Sequence, residues 1–80
     1  MLNMEKRNQI VKEINEARAE GKSLVESKVF VNFKDYEHYE LKQYFETFGF
    51  YVHVANEDSL GCHYIIDWSK FNLFNEFPEL

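Results

Sequence analysis

Few side chains in this sequence have the chemistry for covalent catalysis. The single cysteine, Cys62, is a candidate nucleophile, but the alternation of its strand places it inward while the neighbouring His63 points outward. A small buried thiol is therefore expected at this position. The four serines stand in no nucleophile-elbow or related motif. We predict no catalytic residue and a protein that is not an enzyme.

Two histidines are the candidate metal ligands. The expected pairing of the last two strands places His53 opposite His63, with Asp67 further along the same face. A tetrahedral site needs three or four converging ligands, and the spacings typical of zinc sites are absent. We expect a solvated polar surface with no metal and no cofactor, and a metal or a pH-sensitive contact remains the alternative.

Paired carboxylates are the candidate acid–base groups. They occur at Glu37 with Glu40 and at Glu57 with Asp58. Acid–base catalysis also requires a pocket that separates the two pKa values, and nothing in the sequence marks one. The three isolated glycines form no phosphate-binding loop.

The elements that would position these groups begin with an amphipathic helix. Asn3 is its predicted N-cap, Gly21 ends it, and apolar residues recur at three- and four-residue spacing, including Ile10, Val11, Ile14 and Ala17. Alternating valines then predict a strand over residues 24–33. A second helix is expected to start with Asp35 as its N-cap and to end at Gly49, with its inner face formed by Leu41, Tyr44, Phe45 and Phe48.

A hairpin completes the pattern, because two alternating segments flank a polar turn at 56–61. Pairing Val54 with Cys62 and Val52 with Tyr64 places all the apolar side chains on one face, and these are Phe50, Val52, Val54, Cys62, Tyr64, Ile66 and Trp68. Gly61 is expected to adopt a left-handed or tight-turn conformation. The predicted core includes Ile14, Leu41, Phe45, Val52, Ile66 and Trp68.

The element order α-β-α-β-β predicts an α+β fold with a three-stranded mixed sheet and two helices on one face. A right-handed crossover would connect the first strand, the second helix and the second strand. Residues 1–80 form a single domain in which 70–80 is an aromatic tail. Such a tail either closes the core or contacts a second copy, and the short sheet leaves an edge unpaired, so a homodimer is expected.

Composition restricts the class of protein further. Eight Phe, five Tyr and one Trp supply enough apolar area for a core without disulfides or a metal. No apolar stretch approaches the roughly 20 residues that cross a bilayer, and the N-terminus resembles no signal segment. A cytoplasmic protein without membrane contact is expected.

The net charge of −5 is unevenly distributed along the chain. Residues 1–34 carry five acidic and seven basic residues, whereas residues 35–80 carry nine acidic residues and two lysines. Direct binding to nucleic acid is disfavoured, and a basic protein would be attracted. The candidate partner-binding residues are Asp35, Tyr36, Glu37, Tyr39, Glu40, Glu46, Glu57 and Asp58. A solvated face without a partner is the alternative.

Three segments resemble a pattern seen in small tailed-phage proteins: INEARAEGKS at 14–23, LKQYFETFGFYV at 41–52 and YIIDWS at 64–69. The shared features are structural, namely a helix ending in Ala-x-x-x-Gly-Lys, a second ending in Gly and an aromatic, and a last strand closing with Ile-x-Trp. The match covers most of residues 10–69 and implies a phage origin. Size and charge are also similar to phage host-takeover proteins, some of which are acidic DNA mimics that block the nucleoid protein HU.

Three functions therefore stand as expectations. The first is a non-enzymatic phage host-takeover protein that inhibits a basic host DNA-binding protein through a DNA-mimicking surface in the host cytoplasm. The second is an oligomeric sponge that sequesters a nucleotide immune signal with Lys22, Lys28 and aromatic residues. The third is a structural or assembly accessory protein.

Overall fold

The computed structural model describes residues 2–69, so the aromatic tail at 70–80 and its expected role in a dimer lie outside the described residues. The α+β class is confirmed. The elements in chain order are α1 (Met4–Ala19), β1 (Leu24–Glu26), β2 (Val31–Asn32), a short 3-10 helix (Lys34–Tyr36), α2 (Glu37–Thr47), β3 (Tyr51–Ala55) and β4 (Gly61–Asp67).

The sheet is built around β4, because the three other strands all pair with it. β1 and β3 both pair with the segment 65–67 and so lie on opposite edges of β4, while β2 pairs with Gly61 and Cys62. Every pairing is antiparallel. The prediction of three strands in a mixed sheet was therefore wrong in the number of strands and in their pairing, since β4 separates the two strands expected to be parallel neighbours.

The register of the hairpin differs from the prediction by two residues. Val52 pairs with Ile66 and Val54 with Tyr64. A two-residue shift leaves each side chain on its expected face, because the period of a strand is two. It nevertheless separates the two histidines, and the expected pairing of His53 with His63 was wrong.

The strand predicted over 24–33 is interrupted after Ser27. The Ser27 hydroxyl donates to a Glu13 carboxylate oxygen at 2.6 Å and accepts from the Val29 amide at 3.1 Å. The Lys28 amide donates to the other Glu13 oxygen at 2.8 Å. These side-chain bonds replace ladder hydrogen bonds. The backbone therefore leaves β4 after Ser27, whose amide still donates to the Tyr64 carbonyl oxygen at 2.8 Å, and it returns at Val31. Residues 27–30 are here named the β1–β2 connector.

Both helices pack on the inner face of the sheet. The buried cluster joins α1 and α2 to the strands, and it contains Ile10, Val11, Ile14, Val31, Leu41, Phe45, Phe50, Val52, Cys62, Tyr64 and Ile66. The predicted core is confirmed except at Trp68, which is half-buried. No helix within residues 2–69 has the length and apolar character needed to span a membrane.

The local signals that end the helices are mostly as predicted. The Asn3 side chain accepts from the Lys6 amide at 3.1 Å and caps α1. Gly21 and Gly49 have φ of +79° and +93°, which only glycine adopts without steric cost. Gly61 is needed for a different reason than predicted, because a Cβ there would lie 2.1 Å from the Val31 carbonyl oxygen. Close approach of β2, and not a left-handed turn, requires glycine at this position.

Candidate functional site

The chain enters α2 through two residues with left-handed backbone. Asp35 has φ of 57° and Tyr36 has φ of 61°, and Tyr36 is the N-cap of α2 without a side-chain hydrogen bond. The prediction that Asp35 caps this helix was therefore wrong. Left-handed geometry costs a non-glycine residue roughly 1–2 kcal/mol, somewhat less for Asp. This conformation leaves Tyr36 with 78% of its surface exposed.

The turn between β3 and β4 lies directly against this junction. The Phe33 amide donates to the Leu60 carbonyl oxygen at 2.9 Å. Asp58 shapes the turn, since its carboxylate accepts from the Leu60 amide at 2.7 Å and the Gly61 amide at 3.0 Å. These two backbone hydrogen bonds hold the pKa of Asp58 below its ordinary value. The acidic turn and the start of α2, far apart in sequence, thus meet at one end of the molecule.

Large apolar side chains are exposed at this end together with the carboxylates. Phe33, Tyr39 and Leu60 are 38%, 62% and 69% exposed. The backbone hydrogen bond between Phe33 and Leu60 makes these two residues neighbours, and neighbouring exposed apolar side chains mark interaction sites more often than scattered ones do. We define the aromatic–acidic surface as the exposed residues of this end, Phe33, Asp35, Tyr36, Tyr39, Glu57, Asp58 and Leu60, together with Glu46 near the C-terminal end of α2.

Two of the predicted contact residues lie differently. Glu40 is half-buried. The side chain of Glu37 is mostly buried. Its carboxylate accepts hydrogen bonds from the Lys6 ammonium at 2.8 Å, the Asn32 amide at 2.7 Å and the Asn3 side chain at 3.0 Å. Partial burial opposes its ionisation, but these hydrogen bonds outweigh burial and lower the pKa of Glu37. Glu37 therefore joins α1, β2 and α2 and offers no carboxylate to a partner.

A buried polar cluster was missed by sequence reasoning. The Tyr64 hydroxyl donates to the His38 carbonyl oxygen at 2.9 Å and lies 2.8 Å from His38 Nδ1. Because the phenol proton is used, Nδ1–H is the donor in the second bond. His38 stands three residues before Leu41 and seven before Phe45, so helical periodicity could have placed it on the inner face of α2.

The sulfur of Cys62 lies beside this cluster, 3.9 Å from His38 Nδ1. With its proton donated to Tyr64, Nδ1 cannot act as a base toward the thiol. Burial raises the pKa of Cys62 and lowers the pKa of His38, so both groups stay neutral instead of forming a thiolate–imidazolium pair. The expected buried thiol is confirmed. The contacts among His38, Cys62 and Tyr64 hold α2 against β4.

Residues 2–69 contain no group of three or more His, Cys, Asp or Glu side chains placed to hold a metal ion. The chain matches no family model, no curated protein and no solved structure. The resemblance to small tailed-phage proteins therefore stays a prediction, and function has to be argued from the surface itself.

Proposed function

We propose that this protein is a non-enzymatic binding module whose aromatic–acidic surface captures a basic protein. In the phage setting that the sequence resemblance implies, the partner is a host DNA-binding protein, and the surface occupies its DNA site. The observation that carries this proposal is the convergence of a strained, exposed Tyr36 with the β3–β4 turn. The site acts in the host cytoplasm.

The strain at the start of α2 supports a binding role. Backbone conformations that cost free energy persist where the surrounding structure imposes them, and they cluster at functional sites. Here two consecutive residues, Asp35 and Tyr36, are left-handed, and the result is a projecting phenol ring. Tyrosine is among the residues enriched in binding hot spots, because it buries a large area with few rotatable bonds. A partner that buries this ring recovers apolar area that the free protein leaves in water.

Charge supports a basic partner over other macromolecules. The segments 33–46 and 56–61 carry six carboxylates and two lysines. One of the six, on Glu37, is paired with Lys6 inside the protein, and the others include the exposed Asp35, Glu46 and Glu57. Such a surface repels nucleic-acid phosphates and steers a positively charged protein toward the exposed tyrosines.

The test is a DNA-displacement titration with a purified nucleoid protein of the HU type. The doubly charge-reversed variant E46K/E57K is compared with wild type and with E5K/E16K, which makes the same charge change at exposed positions of α1. Each exposed substitution should change stability by about 0.5 kcal/mol or less. Wild type and E5K/E16K should displace DNA, whereas E46K/E57K should associate about tenfold more slowly, because surface charges act mainly on the association rate.

The dependence of DNA displacement on salt concentration distinguishes this function from that of a structural accessory protein. Displacement by wild type should weaken steeply as ionic strength rises, because the charges involved are exposed and become screened. If wild type displaces no DNA, or if E46K/E57K displaces it as well as E5K/E16K, the proposal fails. The expected homodimer is tested separately, by the sedimentation mass at micromolar concentration.

A further inference from the structure

A second surface of opposite charge lies on the other helix. A groove of about 420 Å³ runs between α1 and the β1–β2 connector, and it is lined mainly by Lys6, Gln9, Lys12, Lys28, Val29 and Phe30. Its volume falls in the roughly 300–1,000 Å³ range of small-molecule sites. The three α1 residues lie at three-residue spacing, so each is a helical neighbour of the next.

The groove wall is fixed by hydrogen bonds. Glu13, at its rim, accepts from the Ser27 hydroxyl and the Lys28 amide, and Ser27 is itself buried. The ring of Phe30 packs edge-on against His63, with centroids 5.7 Å apart. A connector held in this way presents its side chains without further ordering, which reduces the entropic cost of binding a ligand.

Charge in the groove is positive although the protein as a whole is acidic. Lys6 is paired with Glu37, but Lys12 and Lys28 are exposed and form no ion pair with any of the described residues. Glu13 is the one carboxylate among the lining residues, and the neutral donors of the connector hydrogen-bond to it without cancelling its charge. Lys12 and Lys28 still exceed it by one positive charge, so the groove attracts an anionic phosphate.

A neighbouring groove has a more acidic lining than the groove between α1 and the connector. It extends along the C-terminal half of α1 and includes Lys22 and Lys28, but four carboxylates also line it, from Glu13, Glu16, Glu20 and Glu26. Lys22 is paired with Glu20 at 3.0 Å. This second groove is unsuited to an anion, so of the two lysines considered for a nucleotide sponge only Lys28 reaches the basic groove.

We infer that the groove between α1 and the β1–β2 connector binds a nucleoside monophosphate, with Lys12 and Lys28 holding the phosphate and Phe30 contacting the base. Phe30 and Val29 provide the apolar wall that a planar base requires. The site is independent of the aromatic–acidic surface. Its ligand is a small molecule and not a nucleic-acid chain, because the rest of the acidic surface would repel a longer row of phosphates.

Calorimetric titration of the full chain with adenosine monophosphate tests this inference. The variant K12Q/K28Q should bind the nucleotide about tenfold or more weakly, since hydrogen bonds to charged groups contribute that much each. The matched control R18Q/K34Q removes the same charge at exposed positions outside the groove and should bind as wild type does. The variant F30L should weaken nucleotide binding by about fivefold or more while leaving the weaker binding of inorganic phosphate unchanged.

Several results would overturn the inference. Absence of saturable heat with adenosine monophosphate would do so, as would equal binding by K12Q/K28Q and wild type. An equal loss in R18Q/K34Q would indicate a general charge effect and no defined site. Inorganic phosphate binding as tightly as the nucleotide would exclude a contact between Phe30 and the base.

Discussion

Two tyrosines in this protein have opposite environments. Tyr64 is fully buried, and its hydroxyl both donates to the His38 carbonyl and accepts from the His38 ring. Tyr36 is 78% exposed, and its backbone is held in a left-handed conformation. The first tyrosine stabilises the fold through satisfied polar contacts. The second lies in a conformation that costs free energy and leaves its ring in water, and the proposed binding role rests on this combination.

The carboxylates also differ between buried and exposed environments. Glu37 accepts three hydrogen bonds and joins three elements, whereas Glu46 and Glu57 lie exposed on the aromatic–acidic surface. Acidic residues between positions 37 and 57 therefore have different environments, and contacts rather than residue type distinguish them. Substitutions on the interior side should reduce stability, and substitutions on the surface should reduce binding alone.

The largest expected effect is at the centre of the core. Phe45 is fully buried between α2 and the sheet, and Phe45→Ala should lower the free energy of unfolding by about 3–5 kcal/mol through lost burial and a residual cavity. Urea unfolding monitored by circular dichroism measures this. Tyr36→Ala is the matched control on the same helix and should cost about 0.5 kcal/mol or less. Equal costs at the two positions would remove the distinction between them.

The buried tyrosine should show an intermediate effect. Tyr64→Phe keeps the ring but leaves the His38 carbonyl and ring nitrogen without their partner, so it should cost about 1–3 kcal/mol. Tyr39→Phe, at an exposed position of α2, is the control and should change stability little. An unchanged unfolding midpoint for Tyr64→Phe would mean that the cluster does not hold α2 to β4.

Acid should affect the interior carboxylate selectively. The pKa of Glu37 in the folded protein lies below its ordinary value of 4.5, so the unfolded chain binds the proton first as the pH falls. Its contribution to stability is therefore complete above about pH 4.5 and is lost as the pH drops through the folded-state pKa. Urea unfolding across this range should show a flatter pH dependence for Glu37→Gln than for wild type. An equal pH dependence for Glu37→Gln and wild type would contradict this role of Glu37.

The smallest effect on stability is expected at Tyr36, whose backbone is left-handed. Asn tolerates left-handed backbone and is a preferred N-cap, so Tyr36→Asn should raise the free energy of unfolding by about 0.5–1 kcal/mol. The same variant should bind the basic partner more weakly than wild type. A variant that is more stable and binds equally well would show that the exposed ring has no role in recognition.

Much of the fold could be predicted because local signals agreed with tertiary packing. The apolar periodicity of α1, the cap at Asn3 and the glycines at 21 and 49 all correspond to observed features. The sheet could not be predicted fully. The pairing of its strands depends on the central position of β4. The break after Ser27 depends on Glu13, which lies fourteen residues away in the sequence. A two-residue shift of register preserves the hydrophobic pattern, so alternation alone cannot distinguish the two registers.

The positions of the candidate surface residues could be predicted only in part. Charge and exposed tyrosines identified α2 and the β3–β4 turn as separate acidic segments, but sequence gave no sign that the Phe33–Leu60 hydrogen bond brings them together. Glu37 was counted among the contacts because nothing local distinguishes it from its neighbours. Its partners lie on α1 and β2, so only the folded structure reveals its internal role.

The central claim is that the aromatic–acidic surface is the binding surface, and a chemical-shift titration tests it most directly. Isotope-labelled protein is titrated with a purified nucleoid protein of the HU type at low salt, and amide shifts are followed residue by residue. The account predicts that the largest changes fall in segments 33–46 and 56–61, with α1 almost unaffected. Changes confined to α1 or to the outer face of the sheet, or no changes at all, would contradict it.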